Sequence, residues 1–219
     1  MIDGINIRNE LKKIMMLNEN ELTSPIHAAV CPEPDKVFKA FKEIDDVRVV
    51  IIGQDPYPKP GLATGIAFGI NEEDDIPAAL NTIMDEIALH TRHDITVDKS
   101  NFDVTLMDWV KQGVLLMNSS LTCEPYKPEG LDFLKVTTSH SYYWEKILTP
   151  LVSFIDNHDD IVFALFGQKA QAIFTPIIKN NVVLNCAHPT ADYYNKKNIF
   201  VGSQIFNQIN SHLKEPIKW

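Results

Sequence analysis

Four short stretches of this chain are apolar almost without a break: VRVVII (47–52), GVLLM (113–117), IVFALF (161–166) and VVLNCA (182–187). Each has the length of a strand. A strand with one wet face alternates apolar and polar residues, whereas a continuous run predicts a strand covered on both faces, as in parallel sheets flanked by helices. The segments between the runs repeat their apolar residues at helical spacing. DIPAALNTIMDEIALH (75–90) puts Leu80, Ile83, Met84 and Ile87 on one face, with Asp75 and Pro77 at its start. SYYWEKILTPLVSFI (141–155) aligns Trp144, Ile147, Leu148, Leu151 and Ile155, with a kink expected at Pro150. QKAQAIFTPIIKN (168–180) follows the third run, and SQIFNQINSHL (203–213) lies near the end. A shorter helix, KVFKAFKEI (36–44), would bury Val37, Phe38 and Phe41, with Asp35 as its cap. Strands alternating with helices predict an α/β three-layer sandwich around a central four-stranded, mostly parallel sheet. With 219 residues, 45% of them hydrophobic, the chain is expected to form one domain over 1–219, with 1–34 as an N-terminal helical piece and loop.

Composition removes several alternatives. The start, MIDGINIRNELKKIMML, is polar and charged, so no secretory signal is expected, and no apolar stretch approaches a membrane span. The three cysteines, Cys31, Cys123 and Cys186, are scattered and form no CxxC pair. That argues against a zinc or iron–sulfur site and for a reducing compartment, cytoplasmic or, in a eukaryotic host, nuclear. Twenty basic against twenty-nine acidic residues give a net charge of −9. This disfavours a non-specific nucleic-acid coat and leaves room for a local binding groove. No GxGxxG follows any strand, which disfavours a dinucleotide-binding enzyme.

In open α/β sheets ligands bind at the carboxyl ends of the strands. After the first run come Gln54, Asp55, Pro56 and Tyr57, with Phe68 on a Gly-rich return; after the second comes Asn118; after the third, Gly167 and Gln168; after the fourth, His188, Pro189 and Thr190. Taken singly, each has an ordinary explanation. Asp before Pro is a turn residue, Asn after a strand is a turn or cap, and Phe68 is core. Converging on one rim, they supply a carboxylate, an amide, a glycine loop, an imidazole and two aromatics.

The wording of these segments is more specific than their position. GQDPYPKPGLATGIAF (53–68) resembles the water-activating motif of family 1 uracil-DNA glycosylases. GVLLMNSSLT (113–122) resembles that family's uracil-reading strand, and CAHPTADYYN (186–195) its His-Pro-Ser minor-groove loop. IPAALNTIMDEI (76–87) resembles its proline-rich phosphate loop, FGQKAQ (166–171) its Gly-Ser loop, and the terminal KEPIKW its closing Pro-Ile-Asp-Trp. The resemblance runs from about residue 32 to the end.

The resemblance implies an enzyme that hydrolyses the N-glycosidic bond of uracil flipped out of DNA, starting base excision repair as a monomer without metal or cofactor. Asp55 would stabilise the oxocarbenium-like sugar and orient the attacking water, and His188 would stabilise charge on uracil O2, helped by the backbone N–H of Gln54. Asn118 would read O4 and N3–H, Phe68 would stack on the base, and Tyr57 would exclude the thymine methyl. Pro77, Ala79, Gly167, Gln168, Pro189 and Thr190 would face the DNA backbone. Departures from the family pattern are Pro58 for its usual His, Ala78-Ala79 and Gln168 for serines, and Asp192 where an apolar wedge is usual. An anionic Asp192 would be repelled by phosphates, leaving Tyr193 to fill the wedge position. Two other classes remain: a catalytically weak module of the same fold that engages DNA or protein partners, including DNA-mimicking inhibitor proteins, and a different glycosylase or nucleotide-binding enzyme. The clustered-cysteine glycosylases are disfavoured by the scattered thiols.

Overall fold

The computed structural model describes residues 2–18, 24–27, 29–90, 101–126, 138–195 and 197–219. In chain order, β1 (Ile2–Asp3) leads into α1 (Gly4–Asn18); a single 3-10 turn, Pro25–His27, precedes α2 (Lys39–Glu43), β2 (Asp46–Val47) and β3 (Val49–Gly53). Then come α3 (Ala78–His90), α4 (Met107–Lys111), β4 (Val114–Asn118), α5 (Ser141–Asp156), β5 (Val162–Phe166), α6 (Gln168–Phe174), β6 (Val182–Cys186), α7 (Thr190–Asn195) and α8 (Ile205–Ser211). The four apolar runs become one sheet in the order β4-β3-β5-β6, parallel at every pairing. Helices cover it to give the three-layer α/β sandwich, with β1 and β2 as a separate antiparallel pair.

Burial explains why the runs are continuous. All five residues of β3, β4 and β5 are buried. The fourth run departs from the expectation of full cover. β6 lies at the edge, with Val182, Val183 and Leu184 half-buried and Asn185 exposed. On α5 the predicted stripe Trp144, Ile147, Leu148, Leu151 and Ile155 is wholly buried, and the helix continues through Pro150. The short helix expected over 36–44 begins later: Phe38 stands at its N-cap with no side-chain cap bond, and Asp35 lies outside it. Two helices were not foreseen, α4 and α7. Among the described residues no helix is long and apolar enough to cross a membrane.

Register sets the site. Gly53 lies opposite Asn118, Ile52 opposite Leu165, and Phe166 opposite Cys186, so the four strands finish nearly level. From β3 the chain builds β4 on one side, then returns to place β5 on the other. That reversal opens a crevice at the carboxyl ends of β3 and β5.

Candidate active site

The turn after β3 is gripped by the strand beside it. Ser119 N–H donates to the Gly53 carbonyl (3.0 Å) and Ser120 N–H to that of Gln54 (3.1 Å), while the Ser119 hydroxyl donates to the same Gln54 oxygen (2.8 Å). The Asp55 carboxylate that follows is held at both oxygens. Oδ1 accepts from the Ser139 hydroxyl; Oδ2 accepts from Gln54 Nε2 at 3.1 Å and lies 3.4 Å from Lys169 Nζ. Asp55, Gln54, Tyr57, Phe68, Asn118, His188 and Thr190 all line one cavity of about 300 Å³, at the small end of the range for ligand sites.

The apolar walls are fixed by backbone geometry. Phe68 is buried and has φ of +68°, a left-handed conformation that costs a non-glycine residue about 1 kcal/mol or more. Its carbonyl accepts from the Tyr57 hydroxyl (3.0 Å), so one hydrogen bond ties the two aromatic walls together. Burial pushes the Tyr57 phenol up, keeping it a donor. Gly53 permits the close approach of the remaining wall: a β-carbon there would stand 2.5 Å from Asn118 Oδ1 and 2.8 Å from Phe68 Cζ. Asn118 itself is 8% exposed, and among the described residues its amide makes no hydrogen bond. Its polar atoms are not sealed from solvent; they stand at the cavity wall, available to the polar groups of a ligand.

The imidazole of His188 is neutral, and its tautomer follows from its contacts. Burial pushes its pKa down to about 4, against a smaller upward pull from Asp55. Nδ1 accepts from the Thr190 N–H (3.3 Å) and lies 2.8 Å from the Thr190 hydroxyl, so it carries no proton. The proton of the neutral ring is therefore on Nε2, which makes that atom a donor. The segment closes onto the end of β5 because Gly167 has no side chain: at φ +94°, a β-carbon would stand 2.9 Å from His188 Cβ. His188 also packs against Phe68, the rings tilted at 46° with centroids 5.9 Å apart.

The outer rim is less uniform. Pro77 is half-buried before α3, its carbonyl accepting from Asn81 N–H (2.9 Å). Ala79 is buried against the cavity, Gln168 is exposed at the start of α6, and Pro189 is buried. The Thr190 hydroxyl is committed to His188. Asp192 departs from the expectation of an anionic wedge. Its carboxylate accepts from the backbone N–H groups of Ile199 (2.6 Å), Phe200 (2.7 Å) and Val201 (2.8 Å), so it secures a loop and does not project toward a ligand. Tyr193 and Tyr194, 69% and 76% exposed, form an edge-to-face pair with centroids 5.5 Å apart. Two residues escaped the sequence reading, Ser139 and Lys169. A lysine directly after a strand end in an acidic chain was a usable signal; nothing in the pattern around Ser139 was.

The chain as a whole is similar to known proteins. Residues 41–214 match the Uracil DNA glycosylase superfamily. A uracil-DNA glycosylase of Azobacteroides pseudotrichonymphae is 35% identical over 210 residues, covering 93% of this chain and 86% of that one. One from Ureaplasma parvum is 29% identical over 221 residues, covering 97% and 93%. In three dimensions the fold superimposes on mimivirus uracil-DNA glycosylase with a TM-score of 0.75 at 22% identity, over 100% of this chain and 89% of that one. A variant of mimivirus UNG in complex with UGI gives 0.73 at 22% identity, over 96% and 87%. A match over most of the chain, with relatives above 30% identity along nearly its whole length, shows that this chain belongs to the uracil-DNA glycosylase superfamily.

Proposed function

We propose that the protein hydrolyses the N-glycosidic bond between uracil and deoxyribose in DNA, as a glycosylase of the family 1 type acting in base excision repair. The observation that carries this reading is the meeting of three groups around one cavity: the held carboxylate of Asp55, the unpartnered amide of Asn118, and the Nε2–H donor of neutral His188.

The target base must first leave the duplex stack to reach such a cavity. Bond cleavage develops positive charge on the sugar and negative charge on the departing base. A site gains most by stabilising both. Asp55 supplies a negative charge for the sugar and an acceptor for the attacking water, whose oxygen forms the new bond to the anomeric carbon as the bond to uracil breaks. His188 donates Nε2–H to the uracil oxygen that takes the electrons. Asn118 carries one donor and one acceptor, which match O4 and N3–H of uracil together, whereas cytosine presents the reversed pattern. Phe68 provides the stacking face, and Tyr57, braced on the Phe68 carbonyl, limits space for a 5-methyl group.

The same face serves the expected partners. Thr190 at the start of α7 lines the cavity, and it would meet DNA together with exposed Gln168 and Tyr193; the mimivirus UNG variant solved with UGI supports a DNA-mimicking inhibitor protein as a second occupant. A reducing compartment, cytoplasmic or nuclear according to host, belongs to the same proposal and is supported by the free thiols Cys31, Cys123 and Cys186. The binding-module reading drew support from an anionic wedge, and Asp192 is not one. The test is uracil release from single- and double-stranded uracil-containing oligonucleotides at low salt. Release by the wild-type enzyme is the expected result; none from either substrate would overturn the proposal.

A further inference from the structure

The group facing Asp55 across the crevice has no role in the mechanism above. Asp55 follows β3 and Lys169 follows β5, the two strands that flank the reversal in the sheet. Between them stands Ser139, pinned by its neighbours: Glu124 N–H donates to the Thr138 carbonyl (2.9 Å) and His140 N–H to that of Thr122 (3.4 Å).

The hydrogen-bond directions in this triad are determined. A lysine ammonium has three donors and no acceptor. Lys169 Nζ is 2.8 Å from Ser139 Oγ, so that oxygen must accept. It also accepts from the backbone N–H of Ser141 (3.3 Å). With both lone pairs engaged, the single Ser139 proton can go only to Asp55 Oδ1, its remaining neighbour. The direct approach of Lys169 to Asp55 Oδ2 is longer, 3.4 Å.

We propose that Lys169 is a positioning residue for the reaction, acting through Ser139 to hold the Asp55 carboxylate in one orientation; this rests on the glycosylase reading above. Ser139 holds Oδ1, and Lys169, which holds Ser139, also lies 3.4 Å from Oδ2 as an ion pair, so the carboxylate is braced at both oxygens against rotation. The competing role for a half-buried lysine at the mouth is a direct phosphate contact. That role predicts different observables.

The experiment compares wild type, Lys169→Met, Ser139→Ala, Asp55→Asn and the Lys169→Met/Asp55→Asn pair on a uracil-containing single strand. It reads the single-turnover rate, the Kd, and the slope of log Kd against log salt. Lys169→Met and Ser139→Ala are each expected to slow the single-turnover rate about ten- to a hundredfold, the scale of misplacing a reacting group, with Kd and salt slope unchanged. In the Asp55→Asn background Lys169→Met is expected to cost nothing further, because the group it positions has lost its charge. Should Lys169→Met fail to fold, Ser139→Ala carries the same cycle with Asp55→Asn. The proposal is overturned by a wild-type rate in Lys169→Met, by an equal loss in the Asp55→Asn background, or by weaker binding with a salt slope lower by about one unit, the mark of a lost phosphate contact. Absence of uracil release by wild type would instead overturn the glycosylase reading itself.

Discussion

The pocket and its rim are joined by a few residues of chain, yet they are built differently. In the pocket, Asp55, Asn118 and His188 each sit on or just past the end of a parallel strand, and close contacts fix the walls: Gly53 opposite Asn118, Tyr57 on the Phe68 carbonyl, Gly167 against His188. At the rim, short helices carry the surface, and several polar side chains that look free in the sequence are already engaged, Thr190 on His188 and Asp192 on the loop 199–201. Changes at Asp55 and Asn118 should therefore alter chemistry with little effect on folding, and a change at Asp192 should do the reverse. Substitutions in each region test that division.

The largest effect is expected at Asp55. Asp55→Asn keeps the shape while removing the charge proposed to face the sugar, and should lower the single-turnover rate by about a hundred- to a thousandfold or more. The melting temperature should stay close to that of wild type. A near-wild-type rate would show that Asp55 belongs to the rim's class of structural carboxylates.

His188 gives the next effect, through pH. Its pKa is pushed down to about 4 in the folded protein, against about 6.5 unfolded. The unfolded chain therefore binds a proton that the native state refuses. Its contribution to stability is fully present above pH ~6.5 and is lost as the pH falls toward ~4, by about 3 kcal/mol in total. Comparing denaturant unfolding of wild type and His188→Gln across this window isolates the term. Nitrogen NMR of the ring should show the neutral Nε2–H form throughout pH 6–8, and an imidazole titrating near 6.5 would contradict the assigned hydrogen bonds.

Asn118 tests the base-reading wall. Asn118→Asp replaces the donor proposed to match O4 with an acceptor able to take the cytosine amino group. Discrimination between uracil and cytosine should fall by about 1–3 kcal/mol, about five- to 150-fold, alongside slower uracil release. Unchanged discrimination would place base choice elsewhere in the cavity.

These three residues were legible in the sequence for a physical reason. Continuous apolar runs mark buried parallel strands, level register brings their ends together, and whatever follows each run must stand at the crevice. The fold and the placing of Asp55, Asn118 and His188 at the crevice follow from that; their assignment to roles rests on the resemblance of GQDPYPKPGLATGIAF, GVLLMNSSLT and CAHPTADYYN to uracil-DNA glycosylase motifs. What escaped depends on contacts between distant segments. The partners of Asp55 lie far along the chain at Ser139 and Lys169. Asp192 looks like an exposed charge until the loop at 199–201 folds over it, and Asp35 loses its capping role because the helix starts at Lys39. Local patterns cannot report a hydrogen bond whose partner is placed by the tertiary fold.

Asp192 turns that lesson into a measurement. From the sequence, Asp192→Leu should restore an apolar wedge and raise activity on duplex DNA. The structure implies the opposite: three backbone N–H groups lose their acceptor, at a cost of about 1–3 kcal/mol in stability. Thermal melts should show a clear drop for Asp192→Leu and a smaller one for Asp192→Asn, which retains one acceptor oxygen. An unchanged melting temperature with higher duplex activity would return Asp192 to the DNA face.

The smallest effect is expected at Tyr193. With Asp192 turned inward, the exposed rings of Tyr193 and Tyr194 are the groups on α7 that can fill the gap left by an extruded nucleotide. Stacking of an aromatic ring on a base contributes about 1–3 kcal/mol, and a ring that must also leave its neighbour (centroids 5.5 Å apart) should retain only the lower part of that range. Tyr193→Ala should then reduce kcat/KM on duplex substrate by roughly fivefold, the equivalent of about 1 kcal/mol. The loss on single strands should be smaller, because no partner strand re-stacks to expel the base. Tyr194→Ala is the internal control: it removes the edge-to-face partner and leaves the inserting ring in place. If it lowers duplex activity more than Tyr193→Ala does, the two rings exchange roles. If neither changes the ratio of duplex to single-strand activity, α7 supplies no wedge, and the rim then serves only to brace His188 and the loop held by Asp192.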